Sequence, residues 1–152
     1  MTEGDLIAVD ANVLLRLAEI GHPQNDPARR SVERLTSDGA VLVLLPQVVY
    51  EFWVVATRPV DVNGLGLSPD RVAAIIRDRL AAFLLMEDSP NLLAVWLDLV
   101  ERYAVRGKPA HDARLVAAMV CEQVATLLTF NVEDFRRYSE IAAVTPASVL
   151  AG

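Results

Sequence analysis

The chain has 152 residues, 53% of them hydrophobic, which is enough for one domain with a substantial core. Its formal net charge of −6 argues against broad, nonspecific adhesion to nucleic acid, which usually shows a basic face, but leaves room for a local basic groove. The single cysteine, Cys121, excludes an internal disulfide and fits a reducing cytoplasm; it lies in an apolar helical pattern and reads as a buried, inert thiol.

The acidic opening, Met1 to Asp5, precedes an apolar run too short for a signal peptide, and no run approaches the ~18 apolar residues of a membrane span. Leu6 to Val9 reads as a strand buried on both faces, and Ala11 to Glu19 as a helix, with Asp10 at the joint. Gly21-His22-Pro23 breaks the pattern. Pro27 to Ser37 reads as a helix with a charged face, and Asp38-Gly39 as a turn. Val41 to Leu45 is a second buried strand, and Pro46 opens a third helix that stops before Pro59. Pro59 to Pro69 reads as a loop, followed by a helix with Ser68 as N-cap. Phe83 to Met86 reads as a short strand. Leu92, Val95, Trp96, Leu99, Val100 and Tyr103 keep an i, i+3, i+4, i+7 spacing and predict an amphipathic helix, which Gly107-Lys108-Pro109 ends. Ala110 to Gln123 is a further helix, Ala125 to Leu128 a further strand, Asn131 to Arg137 a short helix or turn, and Ala142 to Val144 a last strand before Pro146. Strands alternating with helices predict a three-layer α/β/α sandwich, one domain over 1–152, around a mainly parallel sheet with right-handed crossovers.

In such a sheet the ends of the strands collect ligands. Asp10 stands at one of them, where it also suits an N-cap. Glu51 shares a helical stripe with Val48, Val54 and Val55 and so points towards apolar surface, unless Arg58 holds it at the margin. Asp112 shares a stripe with Val116, Met119 and Val120, in a first turn where the helix dipole favours an acid. Thr129 ends a strand, and Asn131 and Asp134 follow it at the spacing of a capping box. Brought to one edge, these carboxylates repel each other until a proton or a cation intervenes. A donor set made of oxygen selects Mg²⁺ or Mn²⁺; His22 and His111 do not form a zinc pattern.

The segments Val9-Asp10-Ala11-Asn12, Val49-Tyr50-Glu51-Phe52-Trp53, His111-Asp112-Ala113 and Leu128-Thr129-Phe130-Asn131-Val132-Glu133-Asp134-Phe135 resemble the ordered motifs of PIN-domain ribonucleases, and most of all the VapC-like toxins of bacterial toxin–antitoxin pairs. The resemblance runs over nearly the whole chain. It implies a Mg²⁺- or Mn²⁺-dependent endoribonuclease in which Asp10 and Asp112 match the principal metal-binding aspartates and Glu51 the acid of the central helix. Asn131 stands where the family often has Asp, with Asp134 one turn later; Thr129 and Asn12 match supporting positions. A bound cation acidifies water and neutralises a phosphate, so no nucleophilic side chain is required. The resemblance also implies an RNA substrate and an antitoxin that covers the site. Lys108, Arg114, Arg136 and Arg137 flank the carboxylates and suit RNA phosphates, and the apolar surplus suits a homodimer.

Two other classes compete with this reading. A phosphate-accepting Asp10 usually needs a second Asp where Asn12 stands, and a receiver-like domain needs a Lys near the last strand, where none occurs. A non-catalytic binding module would use the same carboxylates as caps alone.

Overall fold

The computed structural model describes residues 3–152; the first two residues of the acidic N-terminal stretch lie outside it. Among the described residues the strands are β1 (Leu6–Val9), β2 (Val41–Leu44), β3 (Leu84–Leu85), β4 (Thr126–Leu128) and β5 (Ala142–Val144). They form one sheet in the order β3-β2-β1-β4-β5, parallel throughout. β1 is therefore central, with Ile7 opposite both Leu42 and Thr126 and Val9 opposite Leu128. Its apolar run follows from this position: Ile7, Val9, Val43 and Leu127 are fully buried because both faces of the sheet are covered.

The helices are α1 (Ala11–Ala18), α2 (Asn25–Ser37), α3 (Pro46–Thr57), α4 (Pro69–Ala82), α5 (Leu92–Arg102), α6 (Ala110–Cys121) and α7 (Pro146–Ala151). α1 packs on α2 and α3, α3 on α4, α2 on α7, and α5 on α6, which completes the three-layer α/β/α sandwich. Going from β1 to β2 to β3 the chain steps outward on one side; it then crosses back through α5 and α6 to place β4 and β5 on the other side. The switch lies beside β1, and the carboxyl ends of β1 and β4 open there side by side.

Local chemistry sets the helix ends. Pro46 occupies the first turn of α3, where its missing N–H costs nothing. Ser68 caps α4 by accepting from the Arg71 N–H at 3.3 Å.

Three expectations are corrected, and one further helix is added. The stretch after Pro59 holds a 3-10 turn, Val60–Val62, and folds back onto α3 through Leu65 N–H to Val55 O and Gly66 N–H to Arg58 O. Gly64 permits that closure, because a Cβ there would lie 1.9 Å from the Arg58 carbonyl oxygen. The last segment continues past β5 into α7, held by a reciprocal Thr145–Ser148 capping box; six residues are too few to show a helical period. The buried face of α3 runs through Gln47, Val48, Phe52 and Ala56, whereas Val54 is 57% exposed, so Glu51 sits at the edge of the buried stripe and not within it. Cys121 is half-buried at the end of α6, because the helix leaves the core in its last turn.

Candidate active site

Asp10 is both a helix cap and part of an acidic cluster, and the two roles use different atoms. It follows β1 in an extended conformation, and its Oδ1 accepts from the Ala11 N–H at 2.8 Å. Its Oδ2 accepts from the Thr129 hydroxyl at 2.8 Å and from Asn12 Nδ2 at 3.4 Å. Thr129 is fully buried just past β4. Its one hydroxyl proton goes to Asp10, and its lone pairs accept from the Asn131 N–H and from Asn12 Nδ2, each at 3.0 Å. Asn12 closes the set, its Oδ1 accepting from the Phe130 N–H at 3.1 Å. The carboxyl ends of two neighbouring strands are thus laced together around one carboxylate.

Asp10 Oδ1 keeps a lone pair beyond its one bond, whereas Oδ2 already accepts two. The side chain is 8% exposed, and burial drives its pKa up to about 6, against the hydrogen bonds from Thr129 and Ala11 and with the charges of Glu51 and Asp134. Asp112, in the first turn of α6, is also pushed up to about 6, by burial first and then by the charges of Asp134, Asp10 and Glu51; His111 pulls the other way. Carboxylates from four separate segments therefore act on one another at this edge of the sheet.

Glu51 is oriented by Gln47, whose Nε2 donates to Glu51 Oε1 and to the His111 carbonyl, both at 2.8 Å. Arg58 is not its partner. Gln47 Oε1 accepts from Arg114 at 2.9 Å, and Arg114 also reaches Asp88 at 3.0 Å. Buried Gln47, which sequence reasoning passed over, ties α3 to the start of α6. Its only sequence signal is a polar residue one turn before Glu51 in an otherwise apolar run.

Asn131 occupies the N-cap position of the 3-10 turn Val132–Phe135, but its side chain makes no capping bond, so the expected capping box does not form. It contributes its backbone N–H to Thr129, while exposed Asp134 bears electrostatically on both Asp10 and Asp112. Of the cations, Arg114 is wired to Glu51 through Gln47. Arg136 pairs with Glu133 at 2.7 Å, Arg137 lies over the Tyr138 ring, and exposed Lys108 makes no ion pair among the described residues. His22 accepts from the Gln24 N–H, away from the cluster, and His111 is exposed.

No group of three or more His, Cys, Asp or Glu side chains among the described residues is arranged to hold a metal ion by itself. Two carboxylates are enough for a hard cation that keeps several waters, and Asp10 and Asp112 offer oxygen only, at a place where negative charge is disfavoured. Donors of oxygen alone are of the kind that Mg²⁺ and Mn²⁺ take.

The model of the PIN domain matches residues 7–141. No curated protein matches the sequence. Among solved structures, the chain is similar to VapBC2 from Rickettsia felis bound to a DNA fragment from its promoter, with a TM-score of 0.70 and 15% identity over 92% of this chain and 98% of that chain. It is also similar to VapC20 of Mycobacterium tuberculosis, a toxin that cleaves the sarcin-ricin loop, with a TM-score of 0.65 and 17% identity over 90% of this chain and 98% of that one. VapBC-1 from nontypeable Haemophilus influenzae gives a TM-score of 0.67 and 15% identity over 93% and 98%.

Proposed function

The chain belongs to the PIN domain family, and from that premise we propose that it is a Mg²⁺- or Mn²⁺-dependent endoribonuclease serving as the toxin of a toxin–antitoxin pair. One observation carries this reading: Asp10 and Asp112, from distant segments, are both driven to a pKa of about 6 by burial and by neighbouring carboxylates. Structural caps have no use for such crowding, whereas a cation site does.

Asp10 and Asp112 are the residues that would hold the cation. When bound, a divalent ion acidifies water and neutralises charge on a phosphate. The protein's own groups do the rest. Thr129 and Asn12 fix the Asp10 rotamer. Gln47 holds Glu51 Oε1, which leaves Oε2 to take a proton from the attacking water. Water oxygen bonds to phosphorus in line with the departing O3′; the P–O3′ bond breaks and O3′ takes up a proton, giving a 5′-phosphate and a 3′-hydroxyl. Asp134 completes the acidic wall. Lys108, Arg114, Arg136 and Arg137 lie on the elements beside it and suit the flanking phosphates.

The similar structures from Rickettsia felis and Haemophilus influenzae are VapBC pairs, which supports an antitoxin partner that lays a basic side chain into the acidic site. Exposed Tyr50, Trp53 and Val54 on α3 support a homodimer. No helix among the described residues is long and apolar enough to cross a membrane, in keeping with action on RNA in the cytoplasm.

The test is labelled single-stranded RNA incubated with purified protein in Mg²⁺, Mn²⁺ or EDTA, beside Asp10→Ala and Asp112→Ala. Cleavage is expected with either metal and in neither variant. Equal cleavage by all three proteins would remove the assignment, and a non-catalytic module would show none.

A further inference from the structure

A cavity of about 530 Å³ opens beside the acidic cluster, within the usual range for small-ligand pockets. Pro90, Leu92, Leu93 and Trp96, from the start of α5 and the loop before it, form its apolar wall; His111 and Arg114 close the side made by α6. The two sites share one helix start. His111 lines the cavity, and the next residue, Asp112, belongs to the cluster. Arg114 lines the cavity and donates to Gln47 at 2.9 Å, and Gln47 donates to Glu51 at 2.8 Å, so a short hydrogen-bonded chain joins the two.

The flat groups of this cavity are held in place. Trp96 Nε1 donates to the Ala110 carbonyl at 2.9 Å, which pins the indole against the start of α6 and uses its only polar atom. The guanidinium of Arg114 is fixed at two points, by Gln47 and by Asp88. The cavity thus combines an aromatic wall, aliphatic neighbours, and a planar cation and imidazole gathered at the end nearest the carboxylates.

We propose that this cavity receives one unstacked nucleobase of the RNA strand, next to the phosphate that is cut. The choice of ligand rests on the nuclease reading. Proteins recognise single-stranded RNA by splaying bases onto aromatic rings and Arg planes and hydrogen-bonding their edges. A base has apolar faces and a polar edge, and the cavity places its groups to match. A docked partner helix would need a stripe of holes at i, i+3, i+4 and i+7, whereas this concavity is confined to two helix starts and one loop.

Trp53→Phe leaves Trp96 as the sole tryptophan of the full-length chain, so its emission reports on the cavity. In EDTA, the protein is titrated with the four nucleoside monophosphates, with adenosine, with ribose 5-phosphate and with N-acetylphenylalaninamide. At least one nucleotide is expected to quench Trp96 saturably, and ribose 5-phosphate to leave it unchanged. Leu93, 72% exposed at the lip, tolerates Leu93→Glu without loss of fold; this variant should raise Kd about fivefold or more, the scale of a lost stacked base. The same loss with uncharged adenosine separates it from phosphate repulsion.

Absence of quenching at millimolar nucleotide, equal quenching by ribose 5-phosphate, or tighter binding of N-acetylphenylalaninamide than of any nucleotide would overturn the proposal; the last would mark an anchor point for a protein side chain. The titration involves no cleavage. Base binding without RNA cleavage would therefore remove the proposed activity alone, and cleavage without base binding would remove the cavity assignment alone.

Discussion

Two groups of carboxylates in this molecule have opposite electrostatic fates. Around Asp10 and Asp112 the acids face one another and both are pushed up to about 6. At the far end of α5, burial also pushes the Glu140 carboxyl up, but hydrogen bonds from Tyr103 and Arg102, together with the Arg102 charge, outweigh it and leave Glu140 below the usual range. Arg102 bridges Glu140 and Asp98, and Tyr103 donates to Glu140 at 2.8 Å. The second group is a surface network with its own cations. The first group has acids, two helix starts and hydroxyl or amide supports, and among the described residues no Lys or Arg forms an ion pair with Asp10 or Asp112. Acidic residues by themselves do not make a site; what they lack in partners does.

The largest effect that would sharpen this contrast is catalytic. Asp10→Asn keeps size and shape but removes the charge, so RNA cleavage should fall about a thousandfold, equivalent to about 4 kcal/mol of lost transition-state stabilisation. Glu140→Gln should leave cleavage unchanged in the same assay. Similar losses in both variants would break the division between the regions.

Next comes stability against pH. A carboxyl whose folded pKa is raised favours the fold while it is protonated, and that contribution is lost as pH climbs from the unfolded value through the folded one. For Asp10 the window runs from 3.8 to about 6, and the rise corresponds to about 3 kcal/mol of penalty on the ionised form. Asp112 acts in the same direction. In EDTA, the stability difference between Asp10→Asn and wild type, measured by urea unfolding, should shift in the variant's favour from pH 4 to pH 7. Mn²⁺ at pH 7 should raise the Tm of wild type more than that of the variant. A difference that stays flat with pH would show that Asp10 carries no such burden.

Gln47→Leu is the next smaller step. It takes a hydrogen bond away from the His111 carbonyl, from Glu51 and from one Arg114 nitrogen, which should cost about 1–3 kcal/mol in thermal or urea unfolding. Because Gln47 orients Glu51 without itself meeting substrate, kcat should fall about tenfold with KM nearly constant. A change confined to KM would place Gln47 in substrate binding instead.

What the sequence disclosed follows from where the information resides. β1, β2 and β4 were legible because strands covered on both faces must be apolar throughout. Asp10, Thr129 and Asp112 were legible because each interrupts such a run or opens a helix at a junction. Gln47 was not, since its meaning lies in partners 64 and 67 residues away. The buried face of α3 was misread because the helix is apolar on two sides. Tyr50 and Val54 are 65% and 57% exposed, so periodicity had no polar face to mark the solvent. Asn131 and Asp134 could not be told apart by motif, because a 3-10 turn does not present residues at helical spacing. β3, with only two residues at the sheet edge and both exposed, nevertheless falls inside the strand expected at Phe83 to Met86.

The smallest effect tests the other side of the comparison. Glu140 has a folded pKa below its ordinary value, so its contribution is present above that ordinary value and is lost as pH falls through the folded one, opposite in sign to Asp10. Glu140→Gln removes the charge but keeps an acceptor for Tyr103. At pH 7 its Tm should drop by about 2 °C or less, because exposed ion pairs contribute little. The drop should shrink further in high salt, which screens surface charge, and adding Mn²⁺ should not restore it. Recovery of the lost Tm by Mn²⁺ would mean that the surface network is coupled to the acidic edge of the sheet, and the two regions would then have to be treated as one electrostatic unit.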